Sequence, residues 1–234
     1  MSVEILVNNK PITVYTSNGK NYVEGRNNSE FEIKITNPFS YKVLAVPSVD
    51  GISIIDGKPA SAESGGYILH ARETITIPGW KVDNSTSAKF TFTVKEKSYA
   101  AVGEVKDTSN TGVIGVMFFE EKKSDVYINS ILRGFDSTPF SGNQFDIPKN
   151  LPYTLCASSY VEPEQELGTA FGKATDFKVR EVEFKRGELL STTVIFYDSK
   201  TNLVKRGIIK QTVSRQEPNP FPGTGCTIPE GWSK

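Results

Sequence analysis

Short runs of alternating apolar and polar residues fill the first half of the chain. In "FEIKIT" (31–36), Phe31, Ile33 and Ile35 fall on one side and Glu32, Lys34 and Thr36 on the other. This is the two-residue period of a strand with one face on a core and one in water. "KFTFTV" (89–94) repeats it with Phe90, Phe92 and Val94, and "EILV", "PITVY", "YKVLAV" and "ETITIP" share its length and β-branched content. Between these runs stand "SNGK" (17–20), "TNPFS" (36–40), "ESGGY" (63–67) and "IPGWK" (77–81). Gly and Asn tolerate positive φ, and Pro fixes φ while removing a donor, so these are hairpin turns or corners. Helical periodicity is hardly visible. The pattern predicts an all-β fold, an antiparallel β-sandwich or jelly roll with long irregular loops and an extended, Pro-rich C-terminal arm.

The same reading divides the chain into four parts. Residues 1–121 form an N-terminal β-sandwich ending in the apolar strand "TGVIGVMFFEE". Residues 122–176, with "STPFSGNQFDIPKNLPY" and "EPEQELGTAFGKATD", form a long irregular excursion or linker. Residues 177–216 add strands to the same core: "VREVEFKR", then "TVIFY" and "LVKRGII" as a hairpin around Asp198, Ser199 and Asn202. Residues 217–234 hold four prolines and three glycines and make an extended arm. Phe221 and Trp232 on that arm, with Phe140 in the excursion, are the expected partner-contact anchors, because aromatic residues on extended segments serve to dock on a neighbour.

"SVDGISIIDGKPAS" (48–61) sets Asp50-Gly51 and Asp56-Gly57 around a short apolar segment. Two carboxylates so spaced could be cation ligands or turn residues. Cation binding needs further converging oxygens, and no EF-hand pattern supplies them. Asp-Gly is a favoured two-residue hairpin sequence, so both pairs are read as structural turns at the ends of "ISII".

Lys plus Arg and Asp plus Glu each total 27, for a net charge of zero. That removes the electrostatic footprint of a nucleic-acid or anionic-membrane binder and leaves little repulsion between neighbouring copies. The longest apolar run, "GVIGVMFF" (112–119), falls well short of the roughly 20 residues of a membrane helix. The N-terminal stretch does not read as a signal peptide. Cys156 and Cys226 lack the companions of a zinc site. A bridge between them would tie the arm to the middle of the chain, although without an export signal free thiols are the expected state.

No residue pattern announces a reaction, and no cofactor or metal is expected. The one histidine, His70 in "GYILHARET", has no local nucleophile signature, and a triad is defined by geometry. Glu162, Glu164 and Glu166 could serve as hydrolase acids or a weak cation site, or be solvated loop charge. A phosphate cradle is excluded at "ELGTAFGK", where Ala174 follows in place of a hydroxyl. Trp80 in "IPGW" and Tyr67 are the aromatics that could face a ligand such as a glycan, or else plug one end of the sandwich.

"VLAVPSVDGISIIDGKPAS", "GYILHARETITIPGW" and "TGVIGVMFFEE" resemble segments of an uncharacterised β-rich protein family of double-stranded DNA viruses, phages and bacteria. "ELGTAFG", "REVEFKR", "FYDSKTNLVKRGI" and "NPFPG" are similar to the same family, so the resemblance spans about half the chain. It implies no catalytic residues. By analogy it implies a non-enzymatic virion structural protein, a minor capsid, vertex or decoration component assembled in the host cytoplasm. Its expected partners are other capsid proteins or further copies of itself. A surface glycan-binding or host-attachment module and a hydrolase are the alternatives.

Overall fold

The computed structural model describes residues 1–122, 164–210 and 230–231. Fourteen strands lie among them: β1 (Ser2–Val7), β2 (Lys10–Pro11), β3 (Val14–Ser17), β4 (Lys20–Gly25), β5 (Glu30–Thr36), β6 (Val43–Val49) and β7 (Ile52–Ser53), followed by β8 (Tyr67–Leu69), β9 (Thr74–Ile77), β10 (Gly79–Lys81), β11 (Thr86–Val94), β12 (Val113–Glu121), β13 (Leu167–Asp176) and β14 (Arg186–Ser199). The fold is all-β. Two short helices interrupt it, α1 (Tyr99–Val102) and α2 (Lys200–Lys205).

Tight turns set the register. Asn8-Asn9, Asn18-Gly19 and Asp50-Gly51 have positive φ at both positions and join strands paired at Val7–Lys10, Ser17–Lys20 and Val49–Ile52. These are two-residue hairpins whose twist matches the strands they connect. Pro47, inside the inner strand β6, falls between the last residue paired with β8 (Ala45) and the first paired with β7 (Ser48). A side of the strand without a partner is where a missing donor is tolerated.

Each of two sheets has seven strands among the described residues. The first runs β10-β11-β5-β1-β2, with β13 on β11 and β9 on β5; the second runs β3-β4-β14-β12-β6-β7, with β8 on β6. Their inner faces share one apolar core in a sandwich-like arrangement. Ile5, Phe31, Ile33, Phe90 and Phe92 come from the first sheet, and Val23, Val43, Ile114, Val116, Phe118 and Tyr197 from the second. Phe31 stacks on Phe92 at 4.2 Å between ring centres.

Five expectations need correction. β14 runs parallel to β4, so the second sheet is mixed and not purely antiparallel. β14 also lies between β4 and β12, so residues 1–121 do not complete a sandwich alone. "LGTAFGKATD", placed in the irregular excursion, is the ten-residue strand β13 along β11. "VREVEFKR" alternates but is no strand before Arg186; it lays Phe184 on the outside of the second sheet. Finally, the expected hairpin after "TVIFY" is helix α2. Ser199 caps it, accepting from the Asn202 N–H at 3.1 Å, and Gly207 ends it at φ 71. Ser and Asn suit a helix N-terminus as well as a turn, and the sequence pattern does not separate the two uses.

Candidate functional site

The most constrained polar group is one of the turn residues. Asp50 takes φ 54 at the tip of the β6–β7 hairpin, and Gly51 beside it takes φ 76. The Asp50 carboxylate turns inward and is 2% exposed. Its Oδ1 accepts from the Gly112 N–H at 2.8 Å and from the Tyr197 hydroxyl at 2.6 Å; its Oδ2 accepts from the Thr169 N–H at 2.7 Å. Since Tyr197 donates to Asp50, the Thr169 hydroxyl, 2.7 Å away, donates to Tyr197. Burial pushes the Asp50 carboxyl up to about 6 against the pull of these donors, and burial and the neighbouring acid push the Tyr197 phenol well up.

Asp198 is a second buried acid nearby. It accepts from the Glu166 N–H at 3.2 Å, the Ser199 N–H at 2.8 Å and the Asn202 Nδ2 at 2.5 Å. Burial raises its carboxyl as well. Asn202 also donates to Glu164 O at 2.8 Å, and Gln165 Nε2 bridges Gly112 O at 2.9 Å and Tyr197 O at 2.7 Å. The stretch 164–169 is therefore held at Glu164, Glu166 and Thr169 by side chains from the β6–β7 turn, β14 and α2. Gly112, at φ 80, leaves the space that the Gln165 amide fills. These contacts tie the first strand of the returning chain, β13, across from one sheet to the other.

Chemically this is a clamp. Both oxygens of Asp50 are engaged by protein donors in the interior, so the group is neither open to a substrate nor paired with a second acid. Asp56 lies exposed, accepting the Lys58 N–H at 3.3 Å, with Gly57 at φ 70, and does not approach Asp50 as a co-ligand. Among the described residues no group of three or more His, Cys, Asp or Glu side chains could hold a metal ion.

The two aromatics that could face a ligand pack inward instead. Trp80 is 2% exposed, donates from Nε1 to Ala170 O at 3.3 Å and packs on Phe90 and Tyr99. Its ring belongs to the core, because β10 turns that face inward. Tyr67 packs its ring edge-on against Phe177; its hydroxyl is buried without a hydrogen-bond partner among the described residues, and burial raises its phenol. His70 is exposed, and among the described residues its imidazole makes no hydrogen bond; its backbone N–H donates to Glu73 Oε2 at 2.6 Å. Glu166 accepts from Ser199 Oγ at 2.8 Å and from Lys205 Nζ at 3.3 Å. Phe140, Phe221, Trp232, Cys156, Cys226 and Glu162 lie outside the described residues.

A cleft of about 330 Å³ opens between Val7, Ile12, Tyr15 and Phe92, and at its rim Glu24 and Arg26 pair at 3.0 Å. No helix among the described residues is long and apolar enough to cross a membrane. Comparison of the chain with protein-family models, curated proteins and solved structures finds no match.

Proposed function

We propose that the chain is a non-enzymatic structural subunit, a minor capsid, vertex or decoration component of a virion, that works by packing against neighbouring subunits. The observation that carries this reading is an apolar patch on the outer face of the second sheet, beside the exposed Thr192 and the half-buried Ser48. Leu44, Val46 and Phe119 form a cluster there, separate from the main core, with Met117 and Ile68 packed against it. Val194, opposite Gly115 on the same face, is 39% exposed. Strands apolar on both sides are the signature of a sheet covered on both sides. Phe184 and Arg186 cover one end of the face, the guanidinium 4.8 Å from the Phe119 ring centre, and α2 covers the other through Leu203 against Tyr22. Between these covers Met117, Val194 and Leu189 remain as a strip for a neighbour. The virion part of the reading rests on the family resemblance alone.

Mass spectrometry of purified particles from the encoding virus or phage tests it. The chain is expected at a fixed copy number relative to the major shell protein, and its absence from washed particles overturns the reading.

A further inference from the structure

One end of the molecule carries a surface that the fold does not use. The β5–β6 and β8–β9 connections meet there around Asn37, which is fully buried. Its Nδ2 donates to Tyr41 O at 2.8 Å, His70 O at 2.8 Å and Leu69 O at 3.3 Å, while its Oδ1 accepts the Phe39 N–H at 3.0 Å. The Arg72 N–H donates to Phe39 O at 3.0 Å, with Arg72 held at φ 62. The product is a fixed tip bearing two rings in water. Phe39 is 36% exposed and Tyr41 44%, and the rings lie parallel within 6° at 5.0 Å. The exposed Arg72 side chain makes no ion pair among the described residues. Core packing does not account for rings held outward by backbone contacts. Aromatics with an arginine, already ordered before binding, are the composition of an interface anchor.

The complementary surface lies at the same end. Lys42, beside Tyr41, pairs with Glu121 at 3.1 Å, and Glu121 stands opposite Arg186 at the start of β14. On either side of that point Val182 is 60% and Leu189 53% exposed. The exposed acids Glu183 and Glu188 beside them make no ion pair among the described residues. The tip thus offers rings and a cation, and the strip offers aliphatic side chains and anions.

We propose that this end of the molecule is a self-association surface: the Phe39–Tyr41–Arg72 tip of one copy docks on the Val182–Leu189 strip of a second copy, with Arg72 against Glu183 and Glu188. Because tip and strip adjoin, one twofold operation uses each of them twice, which gives a closed, isologous pair. This rests on the assembly reading and names one partner for it.

Sedimentation velocity on the full chain over a wide concentration series tests it. The wild type should self-associate. Arg72→Glu, and separately Phe39→Ala with Tyr41→Ala, should weaken that association at least about tenfold, the loss that follows removal of an interface anchor. The charge swap Arg72→Glu with Glu183→Arg and Glu188→Arg should recover it, which a merely misfolded variant would not do. A wild type monomeric at every concentration overturns the inference and leaves the assembly reading to the particle measurement. Self-association unaffected by any of these substitutions overturns it too, by placing the contact elsewhere.

Discussion

The two sheets share one interior and differ on their outsides. On the first, Lys34 pairs with Glu4 at 2.8 Å, Lys89 with Glu30 at 2.7 Å, and Thr36 with Thr74 at 3.0 Å. That face ends at water. On the second, Leu44, Val46, Met117, Phe119, Val194 and Phe196 occupy the equivalent positions. The inner faces show what folds the chain, and the contrast between the outer faces is what supports the proposed contact surface.

The strongest challenge to this contrast is to the claim that the inner faces are equivalent. Phe90→Ala on the first sheet and Phe118→Ala on the second should each cost about 3–5 kcal/mol in urea unfolding, as for any large aromatic deleted from a close-packed core. A loss under about 1 kcal/mol at either site would mean that the sheets do not share one core.

Next in size is the clamp that joins the sheets. Folding raises the Asp50 carboxyl to about 6 from an ordinary 3.8. The native state therefore binds the extra proton, and the stability linked to this group is complete below about pH 4 and lost as pH rises through about 6. The loss is about 3 kcal/mol between those limits. Asp198 acts in the same direction. Denaturant midpoints measured from pH 4 to 7 should fall with rising pH, and Asp50→Asn should flatten that slope. An unchanged slope would remove Asp50 from the account.

Outer-face substitutions then separate the sheets directly. Phe119→Ala on the second sheet, under the Arg186 guanidinium, should cost about 2–3 kcal/mol, whereas Thr76→Ala on the first should stay within about 0.5 kcal/mol. Equal losses would erase the contrast. Smallest of all, Lys34→Ala should change stability by less than about 1 kcal/mol, because its ion pair with Glu4 is half in water.

How far these features were legible in the sequence depended on whether neighbours or distant residues determined them. "FEIKIT" and "KFTFTV" showed their core faces, because alternation is local. Asp50-Gly51 was legible as a turn, but the inward carboxylate was not, since its partners Gly112, Thr169 and Tyr197 lie far along the chain. β13 was hidden by Gly168, Gly172 and its polar residues; pairing along the whole of β11 makes it a strand. "VREVEFKR" erred in the other direction, its alternation serving a segment that lies over a sheet without joining one. The apolar outside of the second sheet was written in "GVIGVMFF", whose lack of alternation means that both faces of β12 are apolar. The exposed tip of Phe39 and Tyr41 had no such signal, because it depends on the buried Asn37 holding two loops together.

The proposal stands on the outer face of the second sheet as a contact surface in an assembly. Chemical footprinting of purified chain against intact particles tests it most directly, with oxidation read at Met117 and Val194 and acetylation at Lys34 and Lys89. Met117 and Val194 should be reactive in the free chain and protected in the particle, while Lys34 and Lys89 stay reactive in both. Equal reactivity of Met117 and Val194 in the two states would contradict it.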